Sequence, residues 1–181
     1  MSTNEIKFGG FGGQGVIMAG IIIGRAASLT SDQYATLTQS FGPEARGSAC
    51  SAQVIISNEK ILYPYVTRPD ILLVMSQEAC NRFLPAATDN ATVIIEEDLV
   101  RPGELKPNQK LFGIPATRFA EELGSKMILN LVMVGFFTAV TRIVAYEATR
   151  ESIIGSVPKG TEGMNLNAFN RGYEFGRSIV K

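Results

Sequence analysis

Apolar and polar positions change their period several times along this chain, and the changes mark out its elements. Glu5-Ile6-Lys7-Phe8-Gly9 alternates as a strand does, Gly10-Phe11-Gly12-Gly13-Gln14-Gly15 breaks the alternation, and Val16 to Leu29 continues with helical spacing. Tyr34 to Ser40 and Ala52 to Ser57 are predicted as a second and third strand, with a polar Gly/Pro segment between them. Ile71 to Met75 is a continuous apolar run after Pro69-Asp70, the pattern of a strand covered on both faces, and Ser76 is placed to cap a helix through Leu84. Ala91 to Ile95 and the shorter Leu111 to Ile114 are further strands, and Thr117 to Leu123 is a helix behind Pro115. Three helical stretches complete the pattern: Met127 to Val144, Glu147 to Ile154, and Asn165 to Val180. Leu166, Phe169, Tyr173, Gly176 and Val180 share one face of the last. Alternating strands and helices predict a three-layer α/β/α fold with a mostly parallel sheet and a Rossmann-like first βα unit, spanning 1–181 as one domain.

Charge narrows the function. Seventeen Lys plus Arg balance seventeen Asp plus Glu in 181 residues, with no basic block of the kind that nucleic acid or an anionic membrane would favour. The N-terminal MSTNEIKFGG lacks the pattern of a signal peptide, and the longest apolar run, Met127 to Val140, is too short for a bilayer and contains Asn130. A cytoplasmic chain is expected. The sequence has no histidine, and its two cysteines, Cys50 and Cys80, lack metal-ligand spacing. Histidine acid/base chemistry, ordinary zinc sites and an Fe–S cluster held by this chain alone are thereby excluded. Isolated cysteines of this kind are expected to be small buried apolar residues.

Gly10, Gly12 and Gly15 satisfy GxGxxG, and Gly13 extends the run. Glycines suit a strand that turns sharply into a helix whose first N–H groups and positive dipole end can receive a phosphate. A tight turn that merely packs is the alternative. A dinucleotide site would also want Asp or Glu at the end of the second strand; Thr38-Gln39-Ser40-Phe41 stands there instead, and Asp32 comes too early, which argues against NAD or FAD. The loop after that strand, Ser40 to Ser48, sets Arg46 and Gly47 among small residues. Arg46 could present its planar fork to a phosphate or a partner carboxylate, or pair with Glu44 on the surface.

GFGGQG at 10 to 15, SFGPEARGS at 40 to 48, PDILLVMSQEA at 69 to 79 and NLVMVG at 130 to 135 together resemble the gamma subunit of 2-oxoacid:ferredoxin (acceptor) oxidoreductases, and the 2-oxoglutarate form most of all. The resemblance implies a subunit of an enzyme that oxidatively decarboxylates a 2-oxoacid with coenzyme A, releasing acyl-CoA and CO2. Thiamine diphosphate and Fe–S clusters would then sit on partner alpha, beta and delta-type (ferredoxin-like) subunits. It further implies that this chain aids assembly and holds part of the coenzyme A site through Gly10, Gly12, Gly13, Gln14, Gly15, Arg46, Gly47 and Asn130. Ser48 stands where many relatives carry a second glycine. A subunit without ligand, and specificity for pyruvate, branched-chain oxoacids or indolepyruvate, remain alternatives.

Asn130 also reads as a helix N-cap fastening the Gly124-Ser125 turn. Met127 to Phe137 is apolar all round, which fits either a central core helix or a surface for another subunit, with Gly135 permitting close approach. A homodimer of the isolated chain is a third arrangement. No nucleophile has a base beside it, and Lys7, Lys60 and Lys110 are expected near strand edges or turns, so catalysis by this chain alone is not expected.

Overall fold

The computed structural model describes residues 3–29, 33–41 and 49–180. Six strands form one sheet: β1 (Thr3–Phe11), β2 (Tyr34–Phe41), β3 (Ala49–Ser57), β4 (Ile71–Val74), β5 (Thr92–Glu96) and β6 (Lys110–Ile114), in the spatial order β2-β3-β1-β4-β5-β6. The run β1-β4-β5-β6 is parallel, whereas β3 opposes both neighbours. The mostly parallel three-layer α/β/α architecture is therefore present, with one reversed strand. Its cause is chain length: only residues 42–48 separate β2 from β3. A parallel return needs a crossover of about a dozen residues or more.

Helix α1 (Val16–Leu29) leaves β1 and covers one sheet face, where Ile6, Phe8, Val54, Ile71, Leu73 and Ile94 belong to the larger apolar cluster. Alternate residues point the other way. Leu72, Val74, Val93 and Ile95 pack there with Ala79 and Cys80 of α2 (Gln77–Phe83) and with Val100. Burial of all four residues of β4 follows. Ser76 caps α2, its hydroxyl accepting the Ala79 N–H at 3.2 Å.

The first face carries a second tier of helices. After α3 (Ala116–Glu122) and a short 3-10 turn at Lys126–Ile128 come α4 (Leu129–Thr141), α5 (Tyr146–Ile154) and α6 (Glu162–Ile179). The helix predicted as continuous from Met127 to Val144 thus starts later and ends earlier, because Arg142 turns left-handed (φ 55°) and its N–H bonds back to the Thr138 carbonyl at 3.1 Å. Residues Leu129 to Ala139 are all buried. α4 lies on the sheet, with Phe137 and Phe8 rings 5.7 Å apart, and α6 covers its outer side. Its all-round apolar surface is explained by this central position, and no partner subunit is needed to cover it.

Gly135 is likewise committed inside the chain. A Cβ there would fall on the Phe169 carbonyl of α6, and one at Gly172 would fall on the Val132 carbonyl of α4. The two helices meet backbone to backbone, closer than side chains permit. α5 is fastened to α1 by the buried Ser152 hydroxyl, which donates to the Ile22 carbonyl at 2.8 Å.

Cys50 and Cys80 are free thiols, 6% and 1% exposed, and burial pushes both above the ordinary thiol range. The thiolate is the reactive form. Iodoacetamide at pH 8 is therefore expected to leave both unmodified in the folded protein over an hour and to alkylate both within minutes in denaturant, as mass spectrometry would read. Fast alkylation of the native chain would contradict this burial.

Candidate functional site

The turn between β1 and α1 is built by glycine at two places for two reasons. Gly10 lacks the Cβ that would otherwise meet the Gln14 amide oxygen at 2.6 Å and the Val16 side chain at 2.8 Å. Gly15 takes φ 74°, a region costly for other residues, and a Cβ on it would land on the Asn130 amide. Gly13 has φ 100° with nothing within 4 Å of its absent Cβ, and it is exposed. Gly12 is half-buried beside it.

Gln14 is the clip of the turn. Its Oε1 accepts the Phe11 N–H at 2.7 Å, its Nε2 donates to the Met75 carbonyl at 2.9 Å, and its own N–H closes on the Phe11 carbonyl at 3.1 Å. Both ends of its amide are thus engaged within the chain, which ties β1 to the β4–α2 junction. The first helical bond runs from Ala19 N–H to the Gly15 carbonyl at 2.9 Å. The N–H groups of Gly12, Gly13, Gly15, Val16, Ile17 and Met18 find no acceptor among the described residues. They form a cluster of unpaired donors at the positive end of a 14-residue helix.

Asn130 reaches this turn from α4. Its Nδ2 lies 3.4 Å from the Gly15 carbonyl, while its Oδ1 is buried without a hydrogen-bond partner. The N-cap role belongs to another residue: Ser125 precedes the 3-10 turn and its hydroxyl accepts the Met127 N–H at 3.3 Å. Asn130 is therefore a brace between the starts of α1 and α4.

Arg46 and Gly47 lie outside the described residues. The flanking residues are placed by register: Phe11 pairs with Ala49, Gly10 with Cys50, and Cys50 with Phe41. Phe41 and Ala49 thus lie at the end of the sheet that carries the glycine turn, the carboxyl edge of the parallel strands, where ligands of such sheets bind. β3 stands between β1 and β2, so the residue position that holds a dinucleotide ribose in a doubly wound sheet is displaced by one strand from the glycine turn. This geometry disfavours NAD for a reason the sequence does not contain.

Two features at this edge escaped sequence reasoning. Glu96, at the end of β5, is fully buried and its carboxylate accepts Leu99 N–H at 2.7 Å and Thr117 N–H at 3.1 Å. One oxygen clasps the turn after β5 and the other the start of α3, which makes it a structural group. Lys7, expected near a strand edge, lies in the middle of β1 and is half-buried. Burial first, then the neighbouring Arg82 charge, pulls its ammonium below the ordinary lysine range. A lysine inside an alternating strand was the available signal; that Arg82 would meet it depended on how α2 docks.

Such an α/β sheet, with unpaired N–H groups at its first strand-to-helix turn, belongs to the class of open α/β proteins. The sequence matches the family model described as pyruvate ferredoxin/flavodoxin oxidoreductase over residues 5–175, and the chain belongs to that family. It is 44% identical to the 2-oxoglutarate synthase subunit KorC of Methanocaldococcus jannaschii, over 97% of this chain and 95% of the relative. Among solved structures, the gamma subunit of a keto/oxoacid ferredoxin oxidoreductase from Geobacter sulfurreducens is similar with a TM-score of 0.83 and 33% identity, covering 97% of this chain and 99% of the other. A 2-oxoglutarate:ferredoxin oxidoreductase from Magnetococcus marinus, solved with 2-oxoglutarate, coenzyme A and succinyl-CoA bound, shares the fold with a TM-score of 0.87 at 21% identity, over 98% of this chain and 32% of that one.

Proposed function

We propose that the chain is the gamma subunit of a 2-oxoacid:ferredoxin (acceptor) oxidoreductase, with 2-oxoglutarate as the oxoacid, and that its glycine turn holds an anionic part of coenzyme A. The supporting observation is the cluster of unpaired N–H groups of Gly12, Gly13 and Gly15 to Met18, near Phe41 and Ala49. Backbone donors at a helix start suit a diphosphate, which needs several hydrogen bonds and a favourable dipole rather than a reactive side chain. Within this reading Gly12, Gly13 and Gly15 supply amides, Gln14 and Asn130 hold the turn in shape, and Arg46 and Gly47 belong to the same site. Gly10 serves packing.

Decarboxylation and electron transfer fall to partner alpha, beta and delta-type subunits carrying thiamine diphosphate and Fe–S clusters. This chain has no cluster of ligating side chains among its described residues. No helix of the described residues is long and apolar enough to cross a membrane. In this reading the assembly works in the cytoplasm. A scaffold whose turn takes no ligand is the second reading; it is favoured by Gly10 and Gly15, which internal contacts alone would require to be glycine.

Calorimetry of coenzyme A binding to the assembled enzyme separates the two. Gly13→Val strains the turn without entering occupied space, and Arg46→Ala removes one cation. Each is expected to weaken binding by about tenfold or more, the scale of one or two charge-assisted hydrogen bonds. Unchanged affinity in both variants leaves only the scaffold.

A further inference from the structure

At the same sheet edge, on the side of α2, a cavity of about 260 Å3 is lined by Ser40 and Phe41 of β2, Ser51 of β3, and Arg82 and Phe83 of α2, among others. Lys7 Nζ lies 4.4 Å from the centre of the Phe83 ring, and the guanidinium carbon of Arg82 lies 5.4 Å from it. Two cations thus converge on one aromatic ring. Neither Lys7 nor Arg82 has a carboxylate of the described residues in ion-pair reach; the same holds for Arg25, Arg101, Lys110 and several other surface cations. No carboxylate of the described residues lines the cavity either. The Arg82 charge acts on the half-buried Lys7 ammonium, and an anion beside them would relieve that repulsion.

Ser40 and Ser51 face each other across the β2–β3 pair and bring two hydroxyls to the same recess. The donor set of the lining therefore comprises a planar fork and two hydroxyls, with the Lys7 ammonium beyond it against the Phe83 wall. That set matches a group with two negative charges and three acceptor oxygens better than it matches a carboxylate. We propose that this recess is a subsite for a phosphate monoester, held by Arg82 with Ser40 and Ser51 and favoured by the Lys7 charge behind its Phe83 wall.

The phosphate belongs either to a free phosphorylated molecule or to the 3′-phosphate of coenzyme A, and the second source rests on the function proposed above. Proximity favours the second. Ser51 pairs with Gly9 and Cys50 with Gly10, so the recess is one strand removed from the glycine turn, about 5 Å in the sheet plane. A single ligand with a diphosphate at the turn could set its remaining phosphate here.

The test compares the assembled enzyme with its Lys7→Gln and Arg82→Gln variants in titrations with inorganic phosphate, coenzyme A and dephospho-coenzyme A. Wild type is expected to bind phosphate, and each variant to bind it about tenfold more weakly or worse. A preference of wild type for coenzyme A over its dephospho form, lost in both variants, assigns the 3′-phosphate. Phosphate binding lost in the variants without any such preference assigns a free phosphorylated molecule to the same subsite. Equal phosphate binding by all three proteins, or none in any, with the coenzyme preference unaltered, overturns the proposal. Failure of the glycine-turn reading looks different: Gly13→Val and Arg46→Ala would then bind coenzyme A normally while the Lys7 and Arg82 variants still lost phosphate.

Discussion

Replacing Gly172 by alanine is expected to lower the melting temperature of the protein by about 10 °C, through the addition of one methyl group. The new Cβ would sit on the Val132 carbonyl, and the reciprocal position, Gly135, faces the Phe169 carbonyl. Backbone cannot rotate away as a side chain can, so α4 and α6 must separate along the whole crossing. That separation loosens Phe136 and Phe169, both fully buried, and the contact of the Phe136 and Phe175 rings, 5.9 Å apart. Overpacking in a dense core costs about 1–3 kcal/mol, and more where the neighbours cannot give. For a chain of this size each kcal/mol moves the midpoint by roughly 2–4 °C. Gly163 is the internal control, since it lies in the same helix with nothing within 4 Å of its absent Cβ. Gly163→Ala should leave the midpoint unchanged or raise it slightly, through lower chain entropy when unfolded. A Gly172→Ala protein melting within about 2 °C of wild type would show that the helices do not cross as described.

Gly15→Ala carries the second large effect, from two separable sources. A left-handed backbone costs alanine about 1–2 kcal/mol, and the steric overlap with the Asn130 amide adds a comparable amount. A total of roughly 2–4 kcal/mol is expected from denaturant titration. Asn130→Ala removes the two tightest overlaps, leaves its own Cβ 2.9 Å from the new one and does not touch the backbone cost, so the double variant should recover part of the loss, less than half. The cycle of two single variants and one double variant isolates this term. Strict additivity would mean that Asn130 does not touch the turn, and its proposed bracing role would fall. The same cycle, run without ligand, keeps the turn's stability apart from its affinity for an anion.

The glycine turn illustrates what one residue type can conceal. Gly10, Gly12, Gly13 and Gly15 read alike in the sequence as positions where backbone nears a ligand. In the fold Gly10 clears space for Gln14, Gly15 clears space for Asn130 and supplies a positive φ, and Gly13 alone combines a positive φ with open surroundings. Gln14 similarly read as a ligand contact, and its amide proves to be spent on Phe11 and Met75. Neither Met75 nor Asn130 is near the turn in sequence, so no local pattern could have announced them. Asn130 carried a partial signal, a lone amide in an apolar helix, but its partner lies 115 positions away.

Elements whose identity depends on local spacing were legible without coordinates. The Ser76 cap, the doubly covered run Ile71–Val74 and the strand, turn and helix order from Thr3 to Leu29 follow from side-chain period and capping chemistry, which act over a few residues. The family resemblance rests on motifs of the same short range. Pairing and docking were decided only in three dimensions. The placement of β3 between β2 and β1, the glycine crossing of α4 with α6 that turned an apparent partner surface into core, and the meeting of Lys7 with Arg82 all join segments distant in the chain. Each is selected by the total area buried and by backbone hydrogen bonding across the whole sheet, and such sums are properties of the packed molecule rather than of any stretch of its sequence.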